Sequence, residues 1–265
     1  MPPQKKSIRT IFIALLGLVL PYIAFAAPAE KPLRIVTLQD FKPFIWCKEH
    51  HAKGIDIEIV SELFRRVEYP FTIECIPWKR ALIYLRRGNA DALFSAYKTL
   101  EREAFATYLA YPLHTSAFSI FTHQSNTNNY NQISDLYGKR IGISSGYSVN
   151  PEFDQAKAEQ RFVISETKST ESGIRMLLMD RIDFYINGKI VVLNKAKEMG
   201  VADQLVGMSK PMHEPKPAYL IISKAAKIPN KERLINKLNQ ALEQMWQDGT
   251  IQTIIDSYTQ PNQAP

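Results

Sequence analysis

The chain has 265 residues, 45% hydrophobic and 22% charged, with 33 basic and 26 acidic residues and a formal net charge of +7. This length suffices for one large or two modest domains with a buried core. Because the basic excess is mild and dispersed, the composition argues against a nucleic-acid-binding protein, and we expect no nucleic-acid partner.

The first 26 residues have the features of a secretory signal peptide. A basic segment with Lys5, Lys6 and Arg9 precedes a short apolar run over residues 11–19, and Ala24-Phe25-Ala26 supplies a small-x-small cleavage pattern. The apolar run is too short for a membrane-spanning helix. We therefore predict an exported protein, cleaved after about Ala26, with a mature net charge of about +4.

Strand-like and helix-like hydrophobic patterns alternate along the mature chain. In the first half they predict strands over residues 33–38, 71–76 and 91–94, a helix from 55 to a stop at Pro70, a helix over 78–87, and a long loop over 39–54. In the second half they predict strands over 117–122, 140–144, 162–165, 182–186 and 217–223, and helices near 151 and over 169–179, 190–199, 231–247 and 251–258. This order predicts an α/β fold with parallel sheets and right-handed crossovers.

The two α/β sets predict a clamshell of two lobes joined by two strand-like crossings. We expect lobe 1 over residues 27–118, lobe 2 over 119–216, a return strand and C-terminal helices over 217–258 that complete lobe 1, and a loose tail over 259–265. A cleft between two units hinged in this way is typical of proteins that close around a ligand.

The junction after the strand at residues 91–94 carries the best candidate ligand-binding group. Thr99 is a suitable helix N-cap, and Glu101 and Glu103 fall in the electropositive first turn. The end of a strand leading into a helix is where open α/β sheets bind ligands. Arg102 lies there beside backbone N–H groups and hydroxyls, which suits an anionic ligand group. The alternative is that Arg102 pairs with a neighbouring carboxylate on the surface.

Two cysteines, Cys47 and Cys75, are candidates for one disulfide in an oxidising compartment. Such a bridge would contribute roughly 3–4 kcal/mol by the chain-entropy estimate. The alternative is a metal site formed by Cys47 with His50 and His51, but that spacing matches no zinc pattern. We therefore expect no metal and no cofactor.

Several short motifs together resemble the bacterial extracellular solute-binding proteins, family 3, the type 2 periplasmic proteins of polar amino-acid ABC transporters. The resemblance covers essentially the whole mature chain, and it implies the two-lobed type 2 periplasmic-binding fold. Its carriers are Pro43-Phe44, Gly54-Ile-Asp-Ile-Glu58, Trp78 through Leu85-x-x-Gly88-x-x-Asp91, Thr99-Leu-Glu-Arg102, Tyr111-Pro112, Asp135 through Gly142, Gly146-Tyr-Ser148 and Asp248-Gly249.

The resemblance assigns roles to individual residues. The arginine of the Thr-x-Glu-Arg motif holds the ligand carboxylate in this family, which places Arg102 in that role. Phe41 and Trp78 stand where two aromatic residues flank the ligand, although buried aromatic residues more often serve only the core. Ser148 is expected to add hydrogen bonds from the second lobe.

By the same resemblance, Ser95 and Tyr97 line the first-lobe turn, and the second lobe closes through Ser148 and Asn187. Two departures change the expected ligand. The family's ammonium-binding Asp corresponds here to Gly188, and Lys98 stands where small hydroxyl or backbone contacts are usual. These departures favour an anionic ligand, such as a dicarboxylate, or an amino acid held differently.

The resemblance implies a monomeric periplasmic solute-binding protein that captures a small anionic or amino-acid-like ligand for the permease of an ABC transporter. One alternative is an enzyme resembling cyclohexadienyl dehydratase, which would need an acid facing the cleft. Glu101, Glu166 and Glu171 are candidates for that acid, although each also suits a surface or capping role, and no nucleophile-plus-base pair is apparent. Another alternative is a ligand sensor without a transporter.

Overall fold

The computed structural model describes residues 31–48, 51–126 and 129–259, which form three sheets and the helices packed on them. The predicted signal peptide and residues 260–265 of the predicted tail lie outside these ranges, whereas Thr259 ends the last helix. The strands are β1 (Leu33–Thr37), β2 (Asp40–Phe41), β3 (Ile45–Lys48), β4 (His51–Lys53), β5 (Phe71–Cys75), β6 (Ala92–Tyr97), β7 (Ala106–Tyr108), β8 (His114–Ser116), β9 (Phe118–His123), β10 (Arg140–Ser144), β11 (Val163–Thr167), β12 (Phe184–Gly188), β13 (Leu205–Gly207) and β14 (Lys216–Ser223).

The helices follow the apolar periodicity of the sequence. They are α1 (Ile55–Arg66), α2 (Trp78–Arg87), α3 (Leu100–Glu103), α4 (Pro151–Ala158), α5 (Thr170–Leu178), α6 (Lys189–Glu198), α7 (Lys231–Gln247) and α8 (Thr250–Thr259), with short 3-10 helices at Ile133–Leu136 and Ala202–Gln204. The bounds of α2 and α7 are those that the sequence predicts. Both helices present one continuous apolar face to the core. Such a face gives the sequence a clear helical period, so the bounds of these helices can be predicted from it.

The first sheet has the order β5-β1-β6-β14-β7, with β8 also paired to β14. Strand β1 runs parallel to β5 and β6, as expected for strands joined by crossover helices. Strand β14 is antiparallel to β6, β7 and β8, so the sheet is mixed rather than wholly parallel. The parallel pairing predicted from the strand–helix order is found for β1, β5 and β6. The return strand β14 is antiparallel, because it reaches this sheet directly from the second sheet and not through a crossover helix.

The second sheet has the order β11-β10-β12-β9-β13, in which β10 is parallel to β11 and β12 and β9 is antiparallel to β12 and β13. The chain passes from the first sheet to the second between β8 and β9 and returns between β13 and β14. This arrangement confirms the predicted two-lobed fold with two crossings. Below, lobe 1 denotes the first and third sheets with α1–α3, α7 and α8, and lobe 2 denotes the second sheet with α4–α6.

The segment predicted as a long loop instead contains the third sheet, in the order β2-β3-β4. Strands β7, β8 and β13 were also not predicted. All of these strands have two to four residues, which is too few for an alternating pattern to be recognised. Cys47 on β3 is disulfide-bonded to Cys75 at the end of β5, with their Cα atoms 6.4 Å apart. The bridge ties the third sheet to the edge of the first.

Candidate functional site

The cleft between the lobes contains a small cavity to which both lobes contribute. Its volume is about 30 Å³, which leaves room for roughly two water molecules. Six of the eight residues that the sequence nominates for ligand binding line it: Phe41, Trp78, Ser95, Tyr97, Arg102 and Ser148. Five further residues complete its wall: Leu38, His114, Ser116, Phe118 and Tyr147. The lobes are therefore closed on each other, and a ligand of amino-acid size requires the cleft to open.

Arg102 is placed by the short helix α3. The side chain of Thr99 accepts a hydrogen bond from the backbone N–H of Arg102 at 3.2 Å and caps the helix, as the sequence predicts. The guanidinium is buried, with the residue only 6% exposed. Nη1 donates to the carbonyl oxygen of Tyr97 at 2.9 Å, and Nη2 reaches the carbonyl oxygen of Gly146 in lobe 2 at 3.4 Å.

Among the residues that the structure describes, the positive charge of Arg102 has no counter-ion. In the described part of the chain, no carboxylate forms an ion pair with it, and its hydrogen bonds go to backbone carbonyl groups. Burial lowers the pKa of its guanidinium, and weaker electrostatic effects of Tyr108, Glu101 and Asp154 raise it. The guanidinium nevertheless stays charged, as arginine does in proteins. A buried cation without an anion is costly, so this position suits an incoming anionic group.

Two aromatic residues stand beside the guanidinium and the cavity. The guanidinium carbon of Arg102 lies 5.4 Å from the ring centroid of Trp78, and the indole N–H of Trp78 donates to the Gly146 carbonyl at 3.3 Å. Phe41 and Trp78 are both buried, at 6% and 8% exposure, and belong to the main hydrophobic core. They therefore contribute both to the core and to the cavity wall.

The second lobe contributes the loop between β10 and α4. Gly146 has a φ of 80°, and a Cβ atom there would lie 3.3 Å from Trp78, so the absence of a side chain allows the two lobes to approach closely. Ser148 follows and donates to Asp154 at 2.6 Å. Tyr147 stacks on Phe118 with ring centroids 5.4 Å apart, and burial raises the pKa of its phenol.

The structure does not bring Lys98 and Asn187 to this cavity. Lys98 forms an ion pair with Glu103 at 2.9 Å, and its side chain is 54% exposed. The Asn187 amide is buried inside lobe 2, where it donates to the Tyr185 hydroxyl at 2.8 Å and accepts from the backbone N–H of Gly188 at 2.8 Å. Because these internal partners satisfy its amide, Asn187 is not free to contact a ligand.

The space at position 188 is occupied by an aromatic ring. A Cβ atom on Gly188 would lie 3.3 Å from Cζ of Phe41 and 3.1 Å from Val191. The resemblance places an ammonium-binding Asp at this position, but any side chain here would be in tight contact with the Phe41 ring. The missing acidic group and the position of Phe41 are thus two parts of one local packing arrangement.

Sequence reasoning missed the most extensive polar cluster in the cavity wall. His114 Nδ1 lies 2.7 Å from Oδ1 of Asp56, and His114 Nε2 lies 3.2 Å from Oγ of Ser116. The Ser116 hydroxyl is 2.8 Å from the hydroxyl of Tyr97, and Ser95 donates to Oδ2 of Asp56. Asp56 and His114 are 58 positions apart, so no sequence motif joins them. The sequence showed no nucleophile-plus-base pair, whereas the structure places His114 Nε2 3.2 Å from the Ser116 hydroxyl.

Charged residues outside the cavity connect the two lobes. Lys79 on α2 pairs with Glu166 on β11 at 3.3 Å, and Lys42 pairs with Glu198 on α6 at 2.6 Å. Two larger open spaces of about 610 and 670 Å³ flank the cavity, and Lys79 lines both of them. These ion pairs link the two lobes across the cleft in the closed arrangement.

Among the residues that the structure describes, no three or more His, Cys, Asp or Glu side chains are grouped to hold a metal ion. Over the same residues, no helix is both long enough and apolar enough to cross a membrane.

Comparison with known proteins gives the family. The sequence profile of the bacterial extracellular solute-binding proteins, family 3, matches residues 33–261. The chain belongs to this family. It is 18% identical over 216 residues to the probable amino-acid-binding protein YxeM of Bacillus subtilis, which covers 82% of this chain and 79% of that protein.

Solved structures share the fold at low sequence identity. An ancestral arginine-binding protein bound to arginine has a TM-score of 0.75 and 19% identity, over 87% of this chain and 99% of that one. A histidine kinase sensor domain with similarity to periplasmic binding proteins has a TM-score of 0.74 and 13% identity, over 87% and 96% of the two chains. The fold therefore occurs both in solute-binding proteins and in a sensor domain.

Proposed function

We propose that the protein is a periplasmic solute-binding protein that captures a small carboxylate-bearing, amino-acid-like ligand between its lobes and delivers it to the permease of an ABC transporter. The observation that carries this proposal is the buried guanidinium of Arg102, which lines the interlobe cavity without an acidic partner. A ligand carboxylate supplies the missing counter-charge and can accept two parallel hydrogen bonds from one guanidinium.

Closure of the lobes follows from the same geometry. In the closed form, Nη2 of Arg102 and the indole N–H of Trp78 both meet the carbonyl of Gly146 in lobe 2. A ligand held by Arg102 touches both lobes only when the cleft is closed, so it binds the closed form more tightly and shifts the population toward it. Exclusion of water by closure strengthens the charge pair. The closed surface is what a permease would recognise.

Membership in the family supports export and an amino-acid-like ligand. YxeM is described as amino-acid-binding, and an ancestral relative in fold binds arginine. The predicted signal peptide is consistent with a periplasmic location. We expect the protein to act as a monomer, because one cleft contains every group that the proposal uses.

The two alternatives have less support. The acids nominated for a dehydratase-like enzyme, Glu101, Glu166 and Glu171, have side chains that are 77%, 44% and 46% exposed, and each has a basic partner. Exposed, paired carboxylates make poor general acids because their protons are lost at low pH. A sensor would use the same cleft, so the sensor alternative is distinguished by the partner protein and not by the ligand site.

The test is a thermal-shift screen of the mature protein against amino acids, dicarboxylates and prephenate. A ligand at about 100 times its Kd stabilises the folded state by roughly 2.7 kcal/mol. Arg102→Ala should abolish the shift. Arg80→Ala is the matched control, because Arg80 is an exposed cation beside the outer cleft and does not line the cavity. The proposal fails if no carboxylate stabilises the protein, or if the shift survives in Arg102→Ala.

A further inference from the structure

Four charged side chains on one side of the cleft form a series of ion pairs that crosses from lobe 1 to lobe 2. Lobe 1 supplies Asp40 on β2 and Lys42 just after it, and lobe 2 supplies two residues of α6. Glu198 Oε1 lies 2.6 Å from Lys42 Nζ, and Glu198 Oε2 lies 2.8 Å from Lys195 Nζ. The same Lys195 Nζ lies 3.7 Å from Oδ1 of Asp40. The charges therefore alternate in sign along the series.

The same segment of lobe 1 makes further contacts with lobe 2. Oδ2 of Asp40 accepts from the backbone N–H of Thr170, the first residue of α5, at 3.3 Å, where the helix dipole favours a negative charge. The backbone carbonyl of Asp40 accepts from the Thr170 hydroxyl at 3.5 Å. Phe41 packs on Gly188, where a Cβ atom would lie 3.3 Å from the ring. Residues 40–42 therefore contact lobe 2 at α5, at the end of β12 and at α6.

The ion pairs are partly shielded from water. The side chains of Lys195 and Asp40 are 20% and 26% exposed, and those of Lys42 and Glu198 are 42% and 39% exposed. Hydrogen bonds from Lys195 and Lys42 hold the pKa of the Glu198 carboxyl below its ordinary value. An isolated exposed ion pair contributes little, whereas several charges in one network contribute more. None of these four side chains lines the interlobe cavity, so the network can act on the lobes without touching a ligand there.

We propose that Asp40, Lys42, Lys195 and Glu198 form an interlobe clamp that favours the closed arrangement of the lobes before any ligand binds. This inference rests on the proposed function only in that lobe closure is what captures the ligand. Two of the three ion pairs join different lobes, so separating the lobes on this side separates those charges. The third, between two residues three positions apart on α6, holds both side chains in place for their partners in lobe 1. Because a ligand binds the closed form more tightly, a clamp that raises its population raises the ligand affinity.

The clamp makes lobe closure sensitive to salt. The Debye length falls from about 30 Å at about 0.01 M ionic strength to about 3 Å at about 1 M, so partly exposed ion pairs are screened over this range. The packing of Phe41 on Gly188 involves no charge and is not screened. We therefore expect the ratio of closed to open molecules in the ligand-free protein to fall about three- to tenfold over this range, which is the effect of one or two such pairs.

The experiment measures the distance between the lobes in the ligand-free mature protein. Spin labels are attached through Lys53→Cys on β4 of lobe 1 and Ala202→Cys after α6 of lobe 2, two exposed positions outside the clamp. The native Cys47 and Cys75 are bonded to each other and do not take the label. Double electron–electron resonance at low and high salt then gives the populations of short and long distances. A distribution that does not change with salt, or a protein that is wholly open at low salt, overturns the inference.

Variants in the labelled protein identify the groups responsible. Glu198→Gln removes two of the three ion pairs and should lower the closed-to-open ratio at low salt about three- to tenfold. Lys42→Met should act in the same direction, and the double variant should not exceed Glu198→Gln alone, because both substitutions remove the same interlobe pair.

Glu74→Gln is the matched control. Glu74 pairs with Arg34 at 2.6 Å, and the two side chains are 46% and 39% exposed, but both residues belong to lobe 1. This pair has the length and exposure of the Lys42–Glu198 pair without joining the lobes. A shift by Glu74→Gln equal to that of Glu198→Gln, or additive effects of Lys42→Met and Glu198→Gln, overturns the assignment.

Failure of this inference can be distinguished from failure of the proposed function, because the distance measurement needs no ligand. If carboxylates bind through Arg102 while the lobe distances are insensitive to salt and to Glu198→Gln, only the clamp is overturned. If no carboxylate stabilises the protein while the distances respond to salt and to Glu198→Gln as expected, the proposed function is overturned and the clamp is supported.

Discussion

Replacing Arg102 by methionine should make the ligand-free protein more stable while it abolishes ligand binding. The guanidinium is buried at 6% exposure without an acidic partner, so the folded protein bears its desolvation cost. Methionine has a similar length, is apolar and is flexible enough to fill the space beside Trp78. Replacing a buried ion pair by well-packed apolar residues is often neutral or stabilising by about 1–4 kcal/mol, and among the described residues Arg102 lacks even the attraction of an acidic partner.

Losing the hydrogen bonds of the guanidinium should cost little free energy, because each carbonyl that accepts from it also accepts from a second donor. The Tyr97 carbonyl also accepts from the Tyr108 hydroxyl at 2.9 Å, and the Gly146 carbonyl also accepts from the Trp78 indole N–H at 3.3 Å. No buried carbonyl is therefore left unsatisfied. We expect a net gain of about 1–3 kcal/mol, which for a protein of this size raises Tm by about 2–10 °C.

The assay is urea and thermal unfolding of the ligand-free proteins, followed by the same measurements with ligand. Lys98→Met is the control, because this lysine is exposed, and surface substitutions typically change stability by less than about 0.5 kcal/mol. If Arg102→Met lowers the stability of the ligand-free protein by about 1 kcal/mol or more, Arg102 is a structural residue. The interpretation of Arg102 as an anion-binding group would then be refuted.

Two further predictions concern stability alone. Joint substitution of Cys47 and Cys75 by alanine should lower the free energy of unfolding by about 3–4 kcal/mol, because the bridge closes a loop with a sequence separation of 28 residues. A reducing agent should lower the Tm of the wild type but not of the double variant. His213 lies near the crossing between the lobes, where Nε2 accepts from the backbone N–H of Phe118 at 3.4 Å, and burial lowers its pKa below 6.5. Because the unfolded chain then binds the proton more readily, the stability that His213 contributes should be present above pH 6.5 and decrease as the pH falls below that value. His213→Asn should flatten this part of the pH profile of stability, measured by thermal unfolding. An unchanged profile would exclude the role.

Local patterns accounted for most of the scaffold and for the position of one candidate ligand-binding residue. The bounds of α2 and α7 follow from apolar periodicity, and the Thr99 cap places Arg102 at a strand-to-helix junction. Motif order supplied the family and the two-lobed fold. Such features are readable because they depend on residues within a few positions of one another.

Other features depend on contacts between distant segments. The short strands β2, β3, β7 and β8 form only because a neighbouring strand supplies their hydrogen bonds, so their few residues carry no pattern of their own. The position of Asn187 also depends on contacts between distant segments. In the sequence, its neighbour Gly188 marks the departure from the family. Only the packed lobe shows that the Asn187 amide is bonded to Tyr185 and is unavailable to a ligand.

The sequence by itself determined that the chain is an α/β clamshell with an arginine where a strand leads into a capped helix, since periodicity, capping and motif spacing are local properties. Only the tertiary structure decided that this arginine is buried without a counter-ion and that Asp56, His114 and Ser116 form one array beside it. Burial and the pairing of charges are properties of the packed molecule, because they depend on which distant segments exclude water from the same cavity.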